Sequence, residues 1–178
     1  ALWMGDEPAT RPAFRRAVTL LRAGIIGAVT EIHAWTARPV WPQGGGRPEG
    51  SDPVPPELDW ELWLCGAPPR PFKQRVYHRY NWRGWHDFGG GALGDIGCRL
   101  LSLPFRALGL GAPRTVTAEE VDGATSEMYP RASRVEAFFD APVRRRPPVT
   151  LAWHDGGWRP AAGRLPEVMR SLETFPGG

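Results

Sequence analysis

The sequence predicts an α+β domain in which a mostly antiparallel sheet is covered by helices on one face. Apolar residues recur at helical spacing near the start of the chain, which indicates a helix that covers a sheet. After residue 114, three short segments with alternating apolar residues follow one another, with glycine or proline in the turns between them. Strands without intervening helices pair antiparallel. Nine tryptophans in 178 residues argue against disorder, because disordered chains are poor in aromatic residues.

The first two predicted elements are a helix and a strand. The helical repeat runs from Phe14 to Leu21, and Gly24 follows it as a C-terminal glycine does. We therefore predict a helix over residues 11–23. β-Branched and aromatic residues over 29–36 predict a strand next.

A long loop and a short helix are predicted to follow. Residues 37–56 are rich in glycine and proline, and a loop of this length in a compact domain is functional or disordered. Trp41 and Gln43 favour an ordered loop near a pocket, because disordered linkers are poor in tryptophan. Residues 58–64 carry the pattern of a short amphipathic helix.

The second half begins with a long helix, predicted over residues 93–108 with Pro104 inside it. Its expected apolar side consists of four leucines: Leu100, Leu101, Leu103 and Leu108. The strands that follow are predicted over 115–121, 133–139 and 149–154. A weak helical pattern covers residues 165–172.

Composition excludes several classes of function. The net charge is only +3 and the basic residues are dispersed, so we do not predict nucleic-acid binding. The three consecutive arginines at 144–146 are typical of a solvated turn. Cys65 and Cys98 form no metal-binding spacing and are expected to be free thiols. No stretch of 18 apolar residues predicts a membrane span, and no secretory signal pattern opens the chain.

Residues 82–99 are the candidate site. Gly89 to Gly94 matches the spacing GxGxxG, but no buried strand precedes it, so it is a poor dinucleotide fingerprint. A glycine turn before a helix instead offers backbone N–H groups to a hydroxyl or an anion. Asp95 and Arg99 lie four apart, so they form either a surface ion pair or a pair that lines a pocket.

Outside this stretch the candidates are few. Asp155 precedes two glycines and is most simply a turn residue. The four histidines assemble neither a catalytic triad nor a metal cluster with any convincing spacing. A ligand other than a metal is therefore expected at residues 82–99.

Several spaced motifs follow one another along the chain: Ile26-Gly27 with Val29 and Trp35, Arg38-Pro39-Val40-Trp41-Pro42-Gln43-Gly44, Leu58-Asp59-Trp60 with Trp63, Gly66-Ala67-Pro68, Asn81-Trp82-Arg83-Gly84-Trp85, Gly91-Ala92-Leu93-Gly94-Asp95, and Trp153-His154-Asp155-Gly156-Gly157. By these motifs the chain resembles the Gfo/Idh/MocA family of sugar- and inositol-type oxidoreductases over about residues 3–160.

The resemblance implies a division of the chain and a set of partners. Residues 1–24 would be the end of a Rossmann domain, 25–160 the substrate-side domain, and 161–178 a poorly ordered tail. NAD or NADP would bind to the full-length parent and not to this chain alone. A small carbohydrate or polyol would be the substrate, without nucleic acid or membrane, and the sheet would mediate homo-oligomerisation.

The resemblance also implies site residues. Asp95 and Arg99 would occupy the catalytic positions, although the family has histidine where Arg99 stands. Arginine stays protonated in proteins and cannot accept the substrate's proton. Arg83, Trp85 and Tyr77 would bind substrate, and Trp41 and Gln43 the cofactor.

Three functions remain open at this stage. The first is a fragment of a nicotinamide-dependent oxidoreductase that acts on a carbohydrate by hydride transfer and is inactive alone. The second is a non-enzymatic sugar-binding or dimerisation module, which Arg99 favours. The third, an NAD-dependent glycosidase, has no motif that selects it. The compartment is also open, cytoplasmic or, with an export signal, periplasmic.

Overall fold

We describe a computed structural model over residues 7–141 and 147–164. The helices of this part are α1 (Glu7–Thr10), α2 (Pro12–Arg22), α3 (Trp60–Leu64) and α4 (Gly91–Leu108). The strands are β1 (Glu31–Trp35), β2 (Thr115–Asp122), β3 (Ala132–Phe139) and β4 (Val149–His154), and 3-10 helices cover Asn81–Gly84 and Ala162–Arg164. The predictions for residues 144–146 and 165–172 fall outside the described residues.

The four strands form one sheet in the order β1-β4-β3-β2. β2 pairs antiparallel with β3, and β3 pairs antiparallel with β4. β1 pairs parallel with β4, with Trp35 opposite His154. The prediction of a mostly antiparallel sheet is confirmed, and the parallel pair makes it a mixed sheet.

Helix α4 covers one face of this sheet. Leu101, Phe105 and Leu108 follow an i, i+4, i+7 series and pack against the β3 and β4 side chains. The rings of Phe105 and Phe139 meet edge to face, with centroids 5.5 Å apart. Each large apolar side chain buried here contributes about 1.5–3 kcal/mol. Helix α2 packs against α4, and Arg22 donates a hydrogen bond to a carbonyl oxygen of α4.

A second core fills the space between α3 and the loops that precede α4. It consists of the buried residues Trp60, Leu64, Phe72, Tyr77, Trp85 and Met128, which we call the aromatic core. Asp59 begins α3, because its Oδ1 accepts a hydrogen bond from the Leu62 backbone N–H at 2.9 Å. The indole N–H of Trp60 is satisfied by the Arg70 carbonyl at 2.8 Å. The loops around the candidate site are therefore anchored by aromatic packing.

The strands match their predicted ranges closely, whereas α4 differs in two ways. It begins at Gly91, two residues before the predicted start. Leu100 is 39% exposed, so its predicted place on the apolar side is wrong. It falls outside the series that contacts the sheet, and Ile96 and Ala107 are buried instead. Within the described residues, no helix is long and apolar enough to cross a bilayer.

Candidate functional site

The candidate site is built around an ion pair between Arg83 and Asp95. Arg83 lies in the 3-10 helix before α4, and Asp95 lies in the second turn of α4. Arg83 Nε donates to Asp95 Oδ1 at 3.1 Å, and Arg83 Nη1 donates to the Tyr80 carbonyl at 3.0 Å. Both charged side chains are 24% exposed, so the pair is partly shielded and still reachable from solvent.

Aromatic rings surround the Arg83 guanidinium. Its central carbon lies 4.5 Å from the ring centroids of Tyr80 and Trp82 and 5.8 Å from that of Trp41. The hydroxyl of Tyr80 accepts a hydrogen bond from Arg38 at 3.2 Å. Contacts of this kind hold a guanidinium in one orientation. We call Trp41, Tyr80, Trp82, Arg83 and Asp95 the arginine cluster.

Glycines allow the backbone segments of this site to approach closely. A Cβ at Gly84 would collide with the carbonyl oxygen of Pro42 in the long loop, residues 36–59. One at Gly91, where φ is +62°, would meet the Tyr129 ring, with the nearest atom at 2.7 Å. Within the GxGxxG stretch, Gly91 thus serves close packing at a helix start, whereas Gly94 has open space around it. The stretch follows a 3-10 helix and an isolated bridge, not a strand.

The sequence comparison now identifies this architecture. Residues 20–122 match the family model of the C-terminal alpha/beta domain of Gfo/Idh/MocA oxidoreductases, over more than half of the chain. The chain belongs to the Gfo/Idh/MocA oxidoreductase family. No curated protein matches it. The predicted family and fold class are therefore confirmed, whereas the division into 1–24, 25–160 and 161–178 stays a prediction.

The predicted catalytic positions of this Gfo/Idh/MocA domain do not form a pair. Asp95 binds Arg83, twelve residues earlier. Arg99 lies exposed on α4 and makes no ion pair with any residue in 7–141 or 147–164. The alternative of a surface ion pair between Asp95 and Arg99 is wrong, because Arg83 approaches Asp95 from the side of the 3-10 helix. The catalytic roles stay predictions.

The two predicted cofactor residues, Trp41 and Gln43, form a hydrogen bond with each other. Trp41 is 4% exposed, and its indole N–H donates to Gln43 Oε1 at 2.8 Å. The Gln43 amide donates in turn to the Pro130 carbonyl. In the described ranges, no strand leads directly into a glycine turn and a helix, the arrangement that binds a dinucleotide. The predicted binding of the cofactor by Trp41 and Gln43 therefore stays a prediction.

The predicted substrate residues separate into two groups. Arg83 lies in the arginine cluster. Tyr77 and Trp85 are only 1% and 3% exposed and belong to the aromatic core. The Trp85 indole N–H is satisfied by the Val76 carbonyl at 3.2 Å. Both side chains therefore pack in the aromatic core, and their role in binding substrate stays a prediction.

Sequence reasoning missed Tyr80 and Trp82 as members of the cluster. Both flank Arg83 in a run of aromatic residues, and that run was the available signal. Sequence spacing alone, however, does not show which of these aromatic rings contacts the Arg83 side chain when the segment forms a 3-10 turn.

Sequence reasoning also missed a buried carboxylate at the end of β4. Asp155 is 3% exposed and accepts hydrogen bonds from the Ser133 N–H, the Ser133 hydroxyl and the Trp153 indole. Burial raises the pKa of the Asp155 carboxyl, although these hydrogen bonds oppose the shift. Asp155 is the turn residue that was predicted, since its carbonyl accepts from the Trp158 N–H. It also fastens β3 to β4.

Two histidines meet on the sheet face opposite α4. His33 Nδ1 and His154 Nε2 lie 3.5 Å apart, and Glu31 accepts from His33 Nε2 at 2.9 Å. Burial lowers the pKa of His154, and the charges of His33 and Arg134 lower it further. Within the described residues, no group of three or more potential ligands could hold a metal ion. These histidines lie on the sheet and are not part of the arginine cluster.

Proposed function

We propose that this chain is the substrate side of a nicotinamide-dependent oxidoreductase that acts on a sugar or polyol by hydride transfer. The observation that supports this proposal is the Arg83–Asp95 pair, held among aromatic rings at the start of a helix. Family membership supplies the reaction class, oxidoreduction. The sugar or polyol is what the family resemblance implies, and the groups of the arginine cluster support it.

The arginine cluster offers the groups that a polyol needs. Asp95 Oδ1 is held by Arg83, which leaves Oδ2 to accept hydrogen bonds from substrate hydroxyls. Within the described residues Arg83 Nη2 makes no hydrogen bond, so it can donate to a substrate oxygen. The ring of Tyr80, which is 42% exposed, offers a surface to the C–H faces of a sugar. A pocket with few polar groups among aromatic walls fixes a ligand's orientation.

The same residues explain why we propose that the chain does not turn over alone. A base must take the proton of the hydroxyl that becomes a carbonyl. Arg99 cannot do so, and Asp95 is the one predicted catalytic residue able to accept a proton. The nicotinamide would supply the hydride acceptor when it is bound.

A non-enzymatic sugar-binding or dimerisation module is the second candidate. The exposed Arg99 at the family's histidine position favours it. We also propose homo-oligomerisation through the sheet, because β2 is an edge strand on which Val116 and Val121 are 62% and 47% exposed. Sedimentation of the chain at several concentrations tests this, and a monomer at every concentration would contradict it.

Calorimetric titration with sorbitol, myo-inositol and glucose tests the proposed site. We expect Asp95→Asn to weaken binding by a factor of about 10 to 100, because hydrogen bonds to a charged acceptor contribute roughly 1.5–3 kcal/mol. Asp140→Asn is the matched control, since Asp140 forms an exposed ion pair with Arg114 at 3.2 Å. Equal affinities of Asp95→Asn and the unmodified chain would refute the site.

A coupled assay separates the two candidate functions. The chain is mixed with NAD or NADP and each polyol, and the absorbance of reduced nicotinamide is followed. We expect no turnover from the chain alone, and steady turnover would overturn the proposed inactivity. Fusion to a nicotinamide-binding domain, with and without Arg99→His, then distinguishes a disabled enzyme from a binding module. Activity that appears with the histidine supports the enzyme.

A further inference from the structure

A pocket of about 290 Å³ lies beside the arginine cluster. Three of its walls are the aromatic side chains of Trp63, Trp82 and Phe88, and Asp87 and Cys65 complete its rim. Trp63 is fixed from behind by stacking on Trp60, with ring centroids 4.8 Å apart. The aromatic walls are therefore held in place by the aromatic core.

Asp87, one of the residues that line the pocket, forms an ion pair with Arg70. The Arg70 side chain is fully buried, and its guanidinium contacts the carboxylate of Asp87. It also lies 4.7 Å from the Phe88 ring centroid and 5.4 Å from that of Tyr77. None of its three guanidinium nitrogens has a hydrogen bond of good geometry in the described structure.

This arrangement is costly to the fold. Burying a charged pair loses several kcal/mol of hydration per ion, and apolar residues of similar volume serve stability equally well. Its effect is to hold the Asp87 carboxylate at the rim of an aromatic pocket, where it stays 32% exposed. The burial of Arg70 therefore indicates a role for Asp87 in binding.

The pocket adjoins the proposed substrate site through Trp82. The Trp82 ring lines the pocket and also contacts the Arg83 guanidinium, at 4.5 Å from centroid to carbon. A ligand held by Arg83 and Asp95 could extend past this ring into the second pocket. We propose that the pocket is a second carbohydrate subsite, so that the substrate is a disaccharide or glycoside whose second ring lies against Trp63 and Trp82. This inference rests on the proposed function.

The chemistry of the pocket selects a neutral polyhydroxylated ring. Arg70 already balances the charge of Asp87, so the pocket has no surplus charge to attract a cation. A plain hydrocarbon would leave the partly exposed carboxylate without a donor, which carries a desolvation cost. A sugar ring satisfies both surfaces, because its hydroxyls donate to Asp87 and its C–H faces pack on the indoles. A volume of about 290 Å³ suits one ring.

The exposed cysteines provide a test that leaves the core intact. In a Cys98→Ser background, Cys65 at the pocket rim is alkylated either with a methyl group or with a bulky pyrene maleimide. The methyl-labelled protein is the matched control, because it differs from the pyrene-labelled protein only in the size of the label on Cys65. Calorimetric titrations compare glucose and sorbitol with maltose, cellobiose and lactose.

We expect at least one disaccharide to bind about tenfold more tightly than glucose, because its second ring packs on the aromatic walls of the pocket. The bulky label on Cys65 should abolish that advantage, whereas the methyl label should preserve it. If glucose or sorbitol binds but no disaccharide binds more tightly, the second subsite is refuted and the proposed function stands. Disaccharide binding that the bulky label does not weaken also refutes the subsite. If no sugar binds, both proposals fail.

Discussion

Replacing Asp155 with alanine should lower the free energy of unfolding more than a substitution at the surface of the protein does. The substitution removes one carboxylate that accepts three hydrogen bonds, two from Ser133 and one from Trp153. All three donors are buried, and β3 and β4 are the strands that these bonds join. The predicted effect is therefore on the stability of the whole sheet.

The expected loss follows from these contacts. Hydrogen bonds to a charged acceptor contribute roughly 1.5–3 kcal/mol each, and buried donors left without a partner add a penalty. Burial of the carboxylate opposes this gain, as the raised pKa of Asp155 indicates. Removing the carboxylate recovers that desolvation cost. We therefore expect a net loss of about 3 kcal/mol in the free energy of unfolding.

Urea unfolding followed by tryptophan fluorescence measures this loss. With a slope of about 2 kcal/mol/M, the midpoint should fall by roughly 1.5 M. Ser133→Ala, which removes one of the three donors, should cost only about 1 kcal/mol. Asp140→Ala is the surface control and should leave the midpoint unchanged. A loss at Asp155 no larger than that at Ser133 would refute the view that this carboxylate fastens the two strands.

Three further predictions concern single positions. The pKa of His154 lies below its ordinary value of 6.5, so below that pH the unfolded chain binds more protons than the folded chain. The contribution of His154 to the free energy of unfolding should therefore be full above pH 6.5 and fall as the pH drops below it. His154→Gln should flatten this part of a plot of the free energy of unfolding against pH. Gly84→Ala should destabilise the protein by a few kcal/mol, because the added Cβ collides with the long loop. Gly94→Ala places its Cβ in open space and should stabilise α4 by up to about 1 kcal/mol. Thermal unfolding of both variants measures the difference, and equal effects would contradict the close approach at Gly84. Arg99→Ala should change neither stability nor polyol affinity, since Asp95 binds elsewhere, and a tenfold loss of affinity would restore Arg99 to the site.

Much of the fold could be predicted because its elements repeat local patterns. The predicted strand over 149–154 matches β4 in full, and those over 115–121 and 133–139 differ from β2 and β3 by one residue at one end. The parallel pairing of β1 with β4, however, could not be predicted. β1 lies early in the chain and joins β4 from far away in sequence, and no local pattern encodes that contact.

The site was predicted less completely than the fold. Arg83, Asp95 and Trp41 were selected, and the structure brings them together. The Arg99 position was chosen by spacing along one helix, whereas the actual partner of Asp95 comes from another segment. Spacing gives neighbours within an element, but contacts between a turn and a helix depend on how the long loop packs.

The parallel pairing of β1 with β4 has a consequence for the way the chain folds. The first and last strands of the described sheet are direct neighbours, although well over half of the chain lies between them. Contacts this distant in sequence require the intervening segment to be looped before they yield any stability, which slows folding. During synthesis, β1 can be paired only after residue 154 has left the ribosome. A chain cut before β4 would therefore leave β1 with an unpaired edge, open to association with other chains.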